Sequence, residues 1–140
     1  MSNSKFSSLT EMVHLARSTL PPESWDYLMG GADTETTLKR NRLSIDSLQF
    51  RPRVLHDVRE VKIATELIKA PLRMPVILPP IGSVQLFEQG GGASVAQGAE
   101  SFGTLQILSS VCTPDYEAVA NASAAPKVYQ LYLMLSLIHI

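Results

Sequence analysis

Two polar side chains, Gln130 and Tyr132, stand two residues apart in the apolar run at 127–133. On an extended strand alternate side chains share a face, so the amide and the phenol point one way and Tyr129, Leu131 and Leu133 the other. Burying either group unpaired costs free energy, so they imply a bound molecule, a polar network of their own with nearby backbone, or water. Ser109 and Ser110 follow a second apolar run, at 104–108. Serines after a strand commonly cap the next turn, and with no basic partner nearby in sequence they form no nucleophilic triad. A third place is Pro79-Pro80-Ile81-Gly82-Ser83, where Val76-Ile77-Leu78 breaks off abruptly. Prolines fix the chain there and remove ladder donors, while Gly82 lets backbone approach closely whatever faces it.

Other chemistry is excluded by spacing. His14, His56 and His139 have no metal-ligand pattern, and with one cysteine, Cys112, a zinc site is not expected. Gly90-Gly91-Gly92 invites a phosphate-loop reading, but position 95 is Val95 and no Gly-Lys-Ser/Thr follows, so it reads as a flexible lead-in to a helix.

The elements that must position these residues are legible in outline. Ser8 and Glu11 form a capping box ahead of a helix ending near Leu20, because Pro21 and Pro22 cannot continue it. Those prolines open a second helix, through Trp25 and Tyr27 to Gly30-Gly31, where glycine is expected to take the left-handed conformation. Asp33 or Thr34 is expected to cap a third, with Leu38, Asn41 and Ile45 on one stripe. Pro52 makes 50–55 an edge or irregular piece, and 62–67 with 71–73 reads as a short hairpin outside the main sheet.

From Met74 a repeat appears: an apolar strand at 75–78, a small-residue helix at 93–102, a strand at 104–108, a helix opened by Thr113-Pro114-Asp115, and a strand at 127–133. Strand starts 29 and 23 residues apart are βα-unit spacings, and runs apolar on both faces indicate parallel strands covered by helices. The chain is therefore α/β in class. In such folds sites lie beyond the carboxyl ends of strands, where the three polar places fall.

With 45% hydrophobic and 18% charged residues, 140 positions suffice for one packed core rather than a disordered chain. The formal net charge of −1 gives no global field for nucleic acid, and Lys39-Arg40-Asn41-Arg42 reads as a solvated helix face. A single cysteine and a polar start without an apolar signal core point to a cytoplasmic protein. The run at 128–140, broken by Gln130, Ser136 and His139, is too short to span a bilayer. Asn121-Ala122-Ser123 fits a glycosylation sequon but reads as a helix end.

The stretch DYLMGGADTETTLKRNRLSIDSLQFRPRVLHDV, followed in order by MPVILPPIG, GTLQILSS and YQLYL, resembles the FMN-dependent α-hydroxy acid oxidase and dehydrogenase family over about residues 8–134. The resemblance implies the N-terminal portion of a TIM (β/α)8 barrel with about three barrel strands, preceded by N-terminal helices. It divides the chain into a helical and extended segment at 1–73, the first βαβαβ part of an FMN-binding barrel at 74–134, and an anomalous tail at 135–140. The implied activity is FMN-dependent oxidation of a 2-hydroxy acid to a 2-oxo acid. Pro80, Ile81, Gly82, Ser109 and Gln130 match flavin-contacting positions, with Gln130 at the pyrimidine edge. Tyr27 and Tyr132 match the tyrosines that reach the substrate, where a phenol donates to an anion without itself being charged.

The family's catalytic histidine and carboxylate-binding arginines are expected beyond residue 140, since a whole barrel takes about 250 residues. No residue present is assigned their role, and the 140-residue chain is expected to be inactive by itself. The family's His-Pro-x-Gly-Glu-like motif is replaced by Glu88-Gln89-Gly90-Gly91-Gly92, and the tail Leu135-Ser136-Leu137-Ile138-His139-Ile140 has none of the expected charge. The whole enzyme is expected to be a homo-oligomer acting on a small molecule. The alternatives are an inactive chain with at most an interaction surface, and a flavin-barrel monooxygenase or isomerase.

Overall fold

The computed structural model describes residues 6–133, so the tail at 135–140 lies outside the described residues. The chain divides into two units, Met1–Asp57 and Val58–Ile140.

In the first unit α1 is Leu9–Thr19, and its cap follows the sequence closely. Ser8 Oγ accepts the Glu11 amide at 3.2 Å, and the Glu11 carboxylate accepts the Ser7 amide at 2.6 Å, one residue earlier than in a reciprocal capping box. α2, Pro22–Met29, ends at Gly30, whose backbone is extended, not left-handed. Gly30 is needed for another reason: a Cβ there would lie 2.8 Å from Asp26 O. α3, Thr36–Asp46, is preceded by Glu35 in the left-handed region at φ 58°, with no side-chain cap. Thr34 Oγ1 instead lies 2.8 Å from Thr36 Oγ1, and Glu35 turns back to accept the Gly31 amide. None of the three helices buries a residue, so the stripe carrying Leu38 and Ile45 stays exposed. Residues 48–55 are irregular, as Pro52 requires.

The second unit begins with the expected hairpin, β1 (Thr65–Leu67) antiparallel to β2 (Ala70–Leu72). β3 (Gln106–Ser109) and β4 (Lys127–Gln130) pair in parallel, with Gln106 opposite Lys127 and Ser109 opposite Gln130. The strand expected at 75–78 reduces to one parallel bridge, Leu78 to Gln106, made by Leu78 N–H to Leu105 O and Ile107 N–H to Leu78 O, each 2.9 Å. The third strand also ends early: Tyr132 lies beyond β4, and its N–H donates to Ser110 Oγ at 3.2 Å.

α4 (Gly91–Phe102) and α5 (Tyr116–Ala122) close one face of the pair. Ala96, Leu108 and Val119 form the buried cluster, with Ala93 and Cys112 against it. Asp115 caps α5 by accepting the Ala118 amide at 2.9 Å, so it stands before the first turn and Pro114 outside the helix. Gly91 and Gly92 are buried close-approach positions, not a flexible lead-in. Gly91 has φ +52°, and a Cβ on it would sit 2.0 Å from Thr113 O; one on Gly92 would meet Leu108 at 2.9 Å and Cys112 Sγ at 3.2 Å.

Gly91→Ala should therefore lower unfolding free energy by about 2–4 kcal/mol. Gly98, on the same helix with nothing within 4 Å of a Cβ, should give the opposite sign on replacement by alanine, a gain of about 0.5–1 kcal/mol. Urea titrations followed by circular dichroism compare the two.

The Ser7 amide and hydroxyl bonds hold the Glu11 carboxyl below the usual range. Its contribution to the α1 cap is present above the unfolded-state pKa and is lost as pH falls through the lowered one. The Ser7 amide resonance should titrate with a midpoint below that of an ordinary glutamate, and a normal midpoint would contradict the cap.

Candidate cofactor site

The site is built where the segments after the bridged strand, β3 and β4 meet. Gly82 lies beside β3's end: its absent Cβ would be 3.9 Å from Ser109 Oγ and 2.8 Å from Val111 Cγ2. The close approach at Gly82 thus has a reason within the protein, the Val111 side chain. Ser109 is buried at 2% exposure, and its hydroxyl accepts the Val111 amide at 3.3 Å. Gln130 is opposite Ser109 in the ladder, and its carbonyl accepts the Ser110 amide at 3.1 Å. Three of the sequence-predicted positions are therefore neighbours. Pro80 is half-buried and Ile81 is 51% exposed, both on the segment that Gly82 ends.

The faces follow from the strand repeat. Leu108 belongs to the helix-covered cluster, and Gln106, two residues before it, donates from Nε2 to Gly92 O at 3.1 Å on the same side. Ile107 and Ser109 then face the other way, and the register sets Val128 and Gln130 beside them. Gln130 Oε1 is enclosed without a hydrogen-bond partner, as is Gln106 Oε1. Gln106, an amide inside an apolar run, carried the same sequence signal as Gln130 and was missed.

The two tyrosines are placed differently. Tyr132 follows β4 and is 44% exposed, so it lies beyond the paired strand that ends at Gln130. Tyr27 is on α2 in the first unit, 65% exposed.

Two cavities adjoin β3. One, of about 290 Å³ and mostly apolar, has Leu78, Ile81, Val95, Gln106, Ser109 and Cys112 in its wall. The other, of about 230 Å³, is walled by Ser109, Ser110, Cys112, Asp115, Tyr116 and Tyr129, with the Tyr116 and Tyr129 rings edge-on at 6.2 Å. Among the described residues no histidine, cysteine and carboxylate cluster could hold a metal ion. No described helix is long and apolar enough to cross a membrane.

Residues 16–136 match the family of FMN-dependent dehydrogenases. The chain is 32% identical over 126 residues to glycolate oxidase 3 of Oryza sativa subsp. indica, covering 90% of this chain and 34% of that protein. It is 37% identical over 128 residues to the L-lactate dehydrogenase of Chromohalobacter salexigens, with 91% and 33% covered. A solved structure of a soluble mutant of the membrane-associated (S)-mandelate dehydrogenase from Pseudomonas putida superposes with a TM-score of 0.84 at 28% identity, over 90% of this chain and 36% of that one. The chain belongs to the FMN-dependent dehydrogenase family, whose cofactor is FMN. It spans about a third of the length of the curated relatives it matches.

The residues present fit that cofactor. The enclosed Gln130 oxygen lacks a donor, and the amide as a whole offers donor and acceptor to a ring edge that carries both. A test of the two amides separates them. Gln106→Glu places a carboxylate at a position 3% exposed and removes the donor to Gly92 O, which should destabilise by roughly 3 kcal/mol or more at neutral pH. Burial raises the introduced carboxyl's pKa, so the loss should shrink as pH falls and the group protonates. Urea midpoints at neutral and mildly acid pH, each against the parent protein, measure it.

Proposed function

We propose that the chain is the N-terminal part of a TIM-barrel flavoenzyme that oxidises a 2-hydroxy acid to the 2-oxo acid. Residues 74–134 supply its first βαβαβ portion. The observation that carries this reading is the adjacency of Gly82, Ser109 and Gln130 after parallel-paired segments, where sites of such folds lie. Family membership and likeness to proteins named glycolate oxidase, L-lactate dehydrogenase and mandelate dehydrogenase support the substrate class.

In this reading the backbone of Pro80, Ile81 and Gly82 and the hydroxyl of Ser109 line the flavin, and Gln130 meets its pyrimidine edge. The chemistry FMN supplies when bound is acceptance of the hydride equivalent leaving the substrate's alcohol carbon. Tyr27 and Tyr132 orient the substrate by hydrogen bonds to its carboxylate or to the oxygen at the reacting carbon. The hydroxyl proton needs an acceptor, and neither His14 nor His56 is assigned that role.

The test is made on the complete enzyme that carries this chain as its N-terminal part: reconstitution with FMN followed by anaerobic addition of glycolate, lactate or mandelate. Flavin retained, with its visible absorbance bleached by one of these, is the expected result; a protein that neither holds FMN nor bleaches it with any 2-hydroxy acid refutes the assignment. Tyr132→Phe should slow bleaching about tenfold while leaving flavin retention nearly unchanged. Gln130→Leu should do the reverse and weaken retention first. Equal loss of both properties in the Tyr132 variant would remove it from the substrate's side.

A further inference from the structure

We propose that Gln85 is a positioning residue, whose side-chain oxygen clips the segment after β3 to the segment after the bridged strand and thereby sets the spacing of Gly82 and Ser109. The ladder cannot do this, because the bridged strand meets β3 only at Leu78 and Gln106. Beyond that point the two chains are joined by Ser83 N–H to Val111 O at 3.1 Å and by Thr113 N–H to Gln85 Oε1 at 3.3 Å. Thr113 is held from its other side as well, its carbonyl accepting the Gly92 amide at 2.9 Å.

Gln85 is placed for this by local geometry. It lies in the 3-10 turn Val84–Leu86, which follows Ser83 in the left-handed region at φ 58°. A Cβ on Gly91 would lie 3.5 Å from Gln85 Cβ and 2.0 Å from Thr113 O, so the amide and the α4 start close on Thr113 together. From Thr113 the constraint passes two residues back to Val111, whose methyl abuts Gly82 and whose amide donates to Ser109 Oγ. The clip's consequence for a cofactor rests on the flavin reading above; its geometry does not.

The experiment compares Gln85→Leu, which keeps bulk and removes the acceptor, with Gln85→Glu, which keeps an acceptor oxygen. Three readouts are taken: exchange of the Thr113 amide and alkylation of Cys112 by N-ethylmaleimide on the 140-residue chain, and FMN affinity on the complete enzyme that carries it. Cys112 is the chain's single cysteine and its thiol donates to Thr113 O, so it reports the loop directly. Gln85→Leu should speed Thr113 exchange about tenfold, speed alkylation, and weaken FMN binding about fivefold. Gln85→Glu should stay near the parent in all three. If the leucine variant fails to fold, Gln85→Asn, one methylene shorter, withdraws the oxygen instead.

Unchanged exchange and alkylation in the leucine or asparagine variant overturns the clip. Faster exchange and alkylation with FMN affinity unaltered overturns its positioning role. A complete parent enzyme that holds no FMN refutes the flavin reading alone, and exchange and alkylation then decide the clip by themselves.

Discussion

A parallel pair of short strands is apolar on both faces, and each face needs a cover. Here β3 and β4 receive one cover from α4 and α5, and the contact is made at very short range. Gly91 and Gly92 let the start of α4 come down onto Thr113 and Leu108, closer than any side chain at those positions permits. Once that approach is made, Ala96, Leu108 and Val119 close the interior, and Ser123 donates to Ala96 O at 2.9 Å to fix the end of α5 against α4. The loop at 110–113 is then held from one side, its Thr113 carbonyl accepting the Gly92 amide, and it is this loop that faces Gly82. Helix packing and the arrangement of the candidate site are thus one constraint, seen from two sides of β3.

What the sequence revealed was what is decided locally. The cap at Ser8, the stop at Leu20 and the start at Pro22 depend on residues within one turn, and the structure has them where the residue types require. The order of strands and helices after Met74 is carried by periodicity and survives too. Strand lengths did not, because a strand continues only while a neighbour supplies partners. Residues 131–133 are apolar enough to extend β4, but Tyr132 N–H finds Ser110 Oγ in place of a ladder carbonyl. The glycines at 91 and 92 were misread for the same reason, since the atoms that demand them, Thr113 O for Gly91 and the Leu108 and Cys112 side chains for Gly92, lie far off in the chain. Glu35 before α3 was hidden as well, because a left-handed non-glycine residue has no signature in residue type.

The site was legible as positions and illegible as connections. Gly82, Ser109 and Gln130 stand out because polar or small residues after apolar runs are conspicuous, and the parallel register then makes them neighbours. The bond from the Thr113 amide to the Gln85 side chain spans 28 residues and joins a loop backbone group to a residue of a short 3-10 turn. No spacing rule reaches it. It follows only from the fold, once α4 has been brought down on β3.

The two strand glutamines show why a residue type alone does not make a site. Both carry an enclosed oxygen with no partner, a state that costs free energy in either place. Gln106 is 3% exposed on the face that α4 covers, with its nitrogen committed to Gly92 O, so it ties strand to helix. Gln130 is half-buried on the opposite face beside Ser109, away from both helices. A donor brought by a ligand relieves its unsatisfied oxygen without disturbing the core. Under the flavin reading, that difference in face is what makes one amide structural and the other a contact, and the chain's choice of polar residues at 109 and 130, amid Ile107 and Val128, follows from it.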